Sequence, residues 1–133
     1  MPTSSGTAKR VLMVDDEPKF CQAVGEFLRT RGYEVTIAGN ASEALLQLDE
    51  VVPDVILLDI RMPGLSGLEA LKVLRSRFHV PRVIVISASD TEEIVQEALR
   101  LGAQAFMCKP IDLRELERMI SGVWPSTPAT GSP

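Results

Sequence analysis

The strongest constraint on the fold is a repeated alternation between short apolar runs and longer stretches with helical spacing. The apolar runs are five or six residues long and are typical of β-strands, and each stretch between them can hold a helix. Three runs are almost wholly apolar, as expected of strands buried on both faces. The sequence predicts β-α repeated five times, with strands at residues 10–14, 33–38, 54–58, 82–87 and 104–108.

Four of the five predicted helices begin with a polar residue that is followed three positions later by glutamate. In this capping box, the two side chains bond backbone N–H groups of the first helical turn. The four pairs are Asn40–Glu43, Ser66–Glu69, Asp90–Glu93 and Asp112–Glu115.

The first predicted helix carries a different start signal. Pro18 fits its first turn, where a missing N–H removes no helical hydrogen bond. Gly32 and Gly102 follow the first and fourth predicted helices, as expected of glycines at helix C-termini. One face of the first helix is apolar and should pack on the sheet. This face is formed by Phe20, Cys21, Val24, Phe27 and Leu28.

The order of the elements predicts a parallel sheet covered by helices on both faces. Right-handed crossovers between successive strands give a doubly wound α/β sheet. The strand at 33–38 alternates apolar and polar residues more than the others, so we expect it at an edge. Ligands of such sheets bind beyond the carboxyl ends of the strands, at the point where the strand order reverses.

The composition favours one globular domain. The chain has 133 residues, 45% of them hydrophobic, and a formal net charge of -4. This mild acidity argues against a domain that binds nucleic acid by itself, because nucleic-acid binding needs a basic face. No apolar run approaches the roughly 20 residues of a membrane span, and no secretory signal precedes the first strand. We expect a cytoplasmic protein in which Cys21 and Cys108 are small core residues.

Both ends of the chain consist largely of small and polar residues, a composition that predicts disorder. Residues 1–8 are expected to form a disordered tail, and residues 125–133 a disordered tail or a linker stub. The predicted folded domain therefore spans residues 9–124.

Polar residues stand where four of the predicted strands end. Asp15 and Asp16 follow the first strand, Asp59 follows the third, Ser87 ends the fourth and Lys109 follows the fifth. The carboxyl ends of parallel strands meet at one edge of the sheet, so these side chains should lie close together.

Clustered carboxylates at this edge would need compensating positive charge. Two unit charges ~4 Å apart interact by roughly 4 kcal/mol at an effective dielectric constant near 20. Mg²⁺ binds a few carboxylate oxygens while retaining water, and Lys109 adds an ammonium group. Together with a hydroxyl group and a projecting carboxylate, these groups suit phosphoryl transfer, in which the carboxylate can form an acyl phosphate.

Four motifs, in their order along the chain, resemble the receiver domain of two-component response regulators. They are MVDDEP, LLDIRMPGLSG, ISAS and GAQAFMCKP, which lie within residues 9–123. The resemblance implies a flavodoxin-like sheet with strand order 2-1-3-4-5 and five helices, as in chemotaxis regulators. It also implies a phosphorylation-dependent signalling switch and not an enzyme for an external substrate.

The resemblance implies a role for each matching residue. Asp59 would accept the phosphoryl group from a sensor histidine kinase or a phosphotransfer protein. Asp16, Asp59 and the backbone carbonyl of Arg61 would bind Mg²⁺, and Asp15 would act mainly through water. Lys109, with a cis bond to Pro110, would pair with the phosphoryl oxygens.

The resemblance also implies how the signal leaves the domain. Ser87 would move to the phosphate and Phe106 would follow as an aromatic switch, although threonine and tyrosine are more frequent at these positions. The partner would be a downstream effector protein or a C-terminal output domain, with no direct binding of nucleic acid or membrane by this domain. Arg61 and Ser89 would flank the hydrolytic water without orienting it, which predicts slow self-dephosphorylation.

Two other functions remain open at this point. An aspartyl-nucleophile phosphatase also uses aspartate, lysine and Mg²⁺, but places its nucleophile in a D-x-D motif after the first strand, where this chain has Asp15 next to Asp16. A flavin carrier of the same topology needs a hydroxyl-rich phosphate loop there, whereas residues 15–19 read DDEPK. Turnover of a phosphate ester would identify the phosphatase, and visible colour the flavin carrier.

Overall fold

The computed structural model describes residues 9–60, 67–77, 82–88 and 91–121. Strands and helices alternate along these ranges, as the sequence predicts. The strands are β1 (Arg10–Val14), β2 (Glu34–Ala38), β3 (Val55–Asp59), β4 (Val83–Ser87) and β5 (Ala105–Cys108). The helices are α1 (Pro18–Thr30), α2 (Ala41–Leu48), α3 (Gly67–Arg77), α4 (Glu92–Arg100) and α5 (Leu113–Ile120).

The five strands form one parallel sheet in the order β2-β1-β3-β4-β5. This order confirms the predicted doubly wound topology and the edge position of β2. All residues of β3 and β4 are buried, because helices cover both faces of the sheet centre. Parallel pairing brings the carboxyl ends of all five strands to one edge, which is where the polar residues lie.

Alternate residues of the strands enter two separate cores. The core that packs on α2, α3 and α4 takes residues 12 and 14, 56 and 58, and 83 and 85 from the central strands. The core that packs on α1 and α5 takes residues 11 and 13, 55 and 57, and 84 and 86. The predicted apolar face of α1 lies in this second core, with Cys21, Val24 and Leu28 buried.

The helix starts agree with the sequence at α1, α2 and α5. Pro18 is the first residue of α1, and the side chains of Asn40 and Asp112 accept backbone N–H groups of α2 and α5. The prediction for α4 is wrong, because its N-cap is Thr91, whose hydroxyl accepts the N–H of Ile94 at 3.3 Å. The helix starts at Glu92, so this hydroxyl stands one residue nearer the free N–H groups than position 90 does. Positions 66 and 90 lie outside the described residues.

Two glycines end helices with backbone angles that other residues resist. Gly32 and Gly102 have φ angles of +94° and +107°, which confirms their predicted positions after α1 and α4. A second prediction fails, since Cys108 is exposed while Cys21 is buried. Cys108 is the last residue of β5, an edge strand that has a neighbour on one side only. Within the described ranges, no helix has both the length and the apolar character needed to cross a membrane.

Candidate functional site

The site lies where β1, β3, β4 and β5 end. Asp59 is the last residue of β3 and pairs in register with Ile86 of β4, while Ser87 pairs with Cys108 of β5. Asp15 follows β1 and Lys109 follows β5. Because Asp59 belongs to the hydrogen-bonded sheet, its backbone is fixed and its side chain projects at the sheet edge with little freedom.

The ammonium group of Lys109 is surrounded by three carboxylates. Its Nζ lies 2.5 Å from Oε1 of Glu17, 2.9 Å from Oδ2 of Asp15 and 3.4 Å from Oδ2 of Asp59. An ammonium group has three N–H donors, so these three acceptors account for all of them. Lys109 therefore ties together segments that are 50 to 94 residues apart in the chain.

The three carboxylates differ in their exposure to water. The side chains of Asp15 and Asp59 are 1% and 5% exposed, whereas that of Glu17 is 60% exposed. Burial lowers the pKa of Lys109, but hydrogen bonds to Glu17 and Asp15 outweigh it and leave the pKa above the ordinary lysine value. Lys109 therefore carries its positive charge at neutral pH.

Asp15 is held in place from several directions. Its backbone N–H donates to the carbonyl of Ala38 at 3.0 Å, and its Oδ1 accepts the backbone N–H of Glu17 at 2.8 Å. The thiol of Cys21 donates to its backbone carbonyl at 3.4 Å. Burial, followed by the negative charge of Asp15, raises the pKa of this thiol to about 11. Cys21 is thus a neutral part of the support beneath the site and not a reactive thiolate.

The carboxylates are arranged so that they could hold a metal ion. One oxygen each from Asp15, Glu17 and Asp59 lies within 4.8 Å of the others. Oxygen ligands of this type are those that Mg²⁺ and Ca²⁺ prefer. Asp16, which the sequence predicts as a direct ligand, is exposed and is not a member of this group.

The structure brings together Asp15, Asp59 and Lys109, as the sequence predicts. Ser87 is fully buried at the end of β4, and its backbone carbonyl accepts the N–H of Lys109 at 2.8 Å. The bond between Lys109 and Pro110 is cis, as the family resemblance implied. Phe106 is half-buried on β5 and packs against the core below α4. Positions 61 and 89 lie outside the described residues.

Two residues of the site were not predicted. Glu17 occupies the N-cap position of α1, yet its side chain makes no capping hydrogen bond and pairs with Lys109 instead. Phe20, predicted only as a core residue, lies with its ring centroid 4.3 Å from Nζ of Lys109. Glutamate is a poor N-cap, so its presence directly before Pro18 was a signal that this side chain has another use.

An open cleft lies beside Lys109, between α1 and the segment that leads into α5. Its volume is about 560 Å³, and its lining includes Glu17, Phe20, Ala88 and Pro110. Lys109 and Glu17 line the cleft, so the ammonium group and this one carboxylate can be reached from solvent on that side.

Comparison with known proteins decides the family. The sequence model of the response regulator receiver domain family matches residues 11–121 of this chain. This range contains every described residue of the site. The chain belongs to the response regulator receiver domain family. As a receiver domain it is a phosphorylation-dependent signalling switch of a two-component system, and it has the sheet order 2-1-3-4-5 of that family.

Similar proteins support the assignment. The chain is 38% identical over 113 residues to the sensory transduction protein RegX3 and 35% identical over 108 residues to the DNA-binding response regulator MtrA, both from Mycolicibacterium smegmatis. These matches cover 85% and 81% of this chain but 49% and 47% of the relatives, so the chain spans about half of their length. The structure of the chemotaxis response regulator CheY4 of Vibrio cholerae matches with 31% identity and a TM-score of 0.78, covering 86% of this chain and 97% of CheY4.

Proposed function

We propose that Asp59 accepts a phosphoryl group from a sensor histidine kinase or a phosphotransfer protein. The observation that carries this proposal is the pairing of a buried aspartate at a rigid strand end with a lysine that reaches it from β5. Nζ of Lys109 lies 3.4 Å from Oδ2 of Asp59, so it can reach oxygens that become attached to this carboxylate. A cation at this place neutralises charge on the phosphoryl oxygens during transfer.

The chemistry uses groups of this chain in defined roles. An oxygen of the Asp59 carboxylate attacks phosphorus while the bond from phosphorus to the donor imidazole nitrogen breaks, and the bonding electrons leave with the imidazole. Asp59 then carries an acyl phosphate. Lys109 holds the phosphoryl oxygens, and the backbone around Asp15 keeps the opposite side of the site in place.

The acidic residues of the site suit a divalent metal ion. Oxygens of Asp15, Glu17 and Asp59 lie within 4.8 Å of one another, but these carboxylates already contact Lys109, so a metal ion needs a further ligand. Asp16 offers an exposed carboxylate directly after Asp15. We propose Mg²⁺ as the ion, bound directly by Asp16, Asp59 and the backbone carbonyl of Arg61, with Asp15 acting mainly through water. Mg²⁺ would neutralise charge on the phosphoryl oxygens when it is bound.

The proposed output is a change in the face formed by α4, β5 and α5. The hydroxyl of Ser87 would move to the phosphoryl group, and Phe106 on the neighbouring strand would change its packing because space opens at the end of β4. Phosphorylation would thereby shift the population between two arrangements of one fold. The partner that binds this face would be a downstream effector protein or a C-terminal output domain joined beyond the domain at 9–124.

One experiment tests the acceptor and the switch together. Wild type, Asp59→Asn and the exposed control Asp49→Asn are incubated with Mg²⁺ and a small acyl phosphate donor, and intact mass is measured. Wild type and Asp49→Asn should each gain one phosphoryl group, and Asp59→Asn should gain none. Amide exchange of the phosphorylated wild type should change around residues 83–88 and 105–108. Equal labelling of the Asp59→Asn protein would refute the acceptor, and an unchanged exchange pattern would refute the switch.

A further inference from the structure

The contacts of the Lys109 ammonium group indicate a role for Glu17. All three N–H donors of the ammonium group are directed to carboxylates, and the shortest distance, 2.5 Å, is to Glu17. The distance to Asp59 is the longest of the three, at 3.4 Å. The ammonium group therefore contacts Glu17 at the exposed rim of the site as well as Asp15, and lies farther from Asp59, the proposed acceptor.

A phosphoryl group on Asp59 would present new acceptors, and Lys109 can approach them more closely if it gives up one of its other two partners. The cost of losing the lysine differs between these two carboxylates. Asp15 is 1% exposed and would be left as a buried anion with one fewer donor, whereas Glu17 is 60% exposed and can be solvated by water at once. Glu17 is the partner that is released with the smallest penalty.

Phe20 provides a second contact that supports this exchange. Its ring centroid lies 4.3 Å from Nζ of Lys109, which places the ammonium group over the aromatic ring. The ring is half-buried and belongs to α1, one turn beyond Glu17. It can keep the ammonium group near the site after the Glu17 contact breaks.

We propose that Glu17 is a positioning residue that holds Lys109 away from Asp59 in the unphosphorylated domain and releases it when a phosphoryl group arrives. This inference rests on the proposed function, since it concerns the same lysine and acceptor. Glu17 does not touch the transferred group. It acts through Lys109, by making the resting position of the ammonium group more stable, and so it sets how strongly the site favours its phosphorylated form.

The test uses beryllofluoride, a phosphoryl mimic, whose affinity is measured by calorimetric titration at saturating Mg²⁺. Glu17→Gln should bind the mimic more tightly than wild type by roughly two- to fivefold, the size expected for loss of a half-exposed ion pair. Glu26→Gln removes the same charge from an exposed position of α1 and should bind like wild type. Equal or weaker binding by Glu17→Gln, or an equal gain in Glu26→Gln, would overturn the inference.

A double-mutant cycle separates the proposed contact from simple charge repulsion of the mimic. If Glu17 acts through Lys109, Glu17→Gln should have no effect in a Lys109→Met background. A gain of the same size in both backgrounds would overturn the inference. Failure of the proposed function gives a different result, because wild type itself would then not bind the mimic.

Discussion

Lys9 and Arg82 at one end of the sheet and Lys109 at the other have different kinds of partner. At the amino ends of the strands, Arg82 donates to the backbone carbonyls of Met119 and Ile120 at 3.3 and 3.0 Å, and Lys9 donates to that of Ile120 at 3.3 Å. These carbonyls belong to the last turn of α5, which favours nearby cations. At the carboxyl ends, Lys109 contacts three carboxylate groups and not the backbone carbonyls of a helix.

The difference indicates which end of the sheet has charges that a bound ligand could balance. At the amino end, the cations donate to carbonyl groups that the helix leaves unpaired, and these bonds connect the C-terminal end of α5 to the sheet. Among the described residues at the carboxyl end, Asp15, Asp16, Glu17 and Asp59 carry four formal negative charges and Lys109 carries one positive charge. This excess of negative charge among the described residues is a reason for this end to bind a cation.

The first way to test this comparison is to remove a proposed metal ligand. Asp16→Ala should weaken Mg²⁺ binding by at least the roughly 10- to 100-fold that loss of an outer-shell partner costs, measured by calorimetric titration. Glu26→Gln removes an exposed acidic charge elsewhere on the surface and should bind Mg²⁺ like wild type. Without Mg²⁺, Asp16→Ala should be at least as stable as wild type, because one of four neighbouring negative charges is gone. Unchanged affinity would exclude Asp16 as a ligand and leave Asp15, Glu17 and Asp59 as the binding group.

The second test concerns how long the proposed phosphorylated state of Asp59 persists. Hydrolysis of the acyl phosphate needs a water molecule in line with the bond from Asp59 to phosphorus. The guanidinium group of Arg61 has donors only and cannot accept a hydrogen bond from that water, and Ser89 is short. We expect slow loss of phosphate, and a roughly tenfold faster loss in Arg61→Asn with Ser89→Glu.

Phosphate release from purified protein over time checks this expectation. Each single substitution serves as a control for the pair, since both sides of the water path have to change for the full effect. A double variant that loses phosphate no faster than wild type would show that these two positions do not control hydrolysis here.

The sequence predicted most of the fold because its signals are local. Strand positions agree to within one residue, since each apolar run is bounded by polar or turn-forming residues. The two errors are also local in origin. The glutamate spacing favours Asp90 as the cap of α4, whereas Thr91 makes the bond. The apolar neighbours of Cys108 favour a core position, although this residue ends an edge strand and is exposed.

The site was less predictable where it depends on contacts between distant segments. Asp15, Asp59 and Lys109 could be placed together because all three stand at carboxyl ends of strands. The pairing of Lys109 with Glu17 joins residues 92 positions apart and depends on which way one flexible side chain turns. The glutamate before Pro18 indicates that its side chain has a use other than capping, but the sequence does not show which partner it takes, so the pairing with Lys109 is known only from the structure.

The smallest expected effect tests the amino end of the sheet. Arg82→Ala removes two hydrogen bonds to the last carbonyls of α5 and should lower the free energy of unfolding by about 1 kcal/mol. Arg114→Ala, an exposed position in the first turn of the same helix, should change it by less than about 0.5 kcal/mol. Urea unfolding of the three proteins supplies these values.

Phosphorylation of Asp59 by a small donor should be the same in all three, because Arg82 lies at the far end of β4 from the site. A stable Arg82→Ala protein that is phosphorylated more slowly would show that the two ends are coupled, and the comparison between a closed end and a ligand-dependent end would then be wrong.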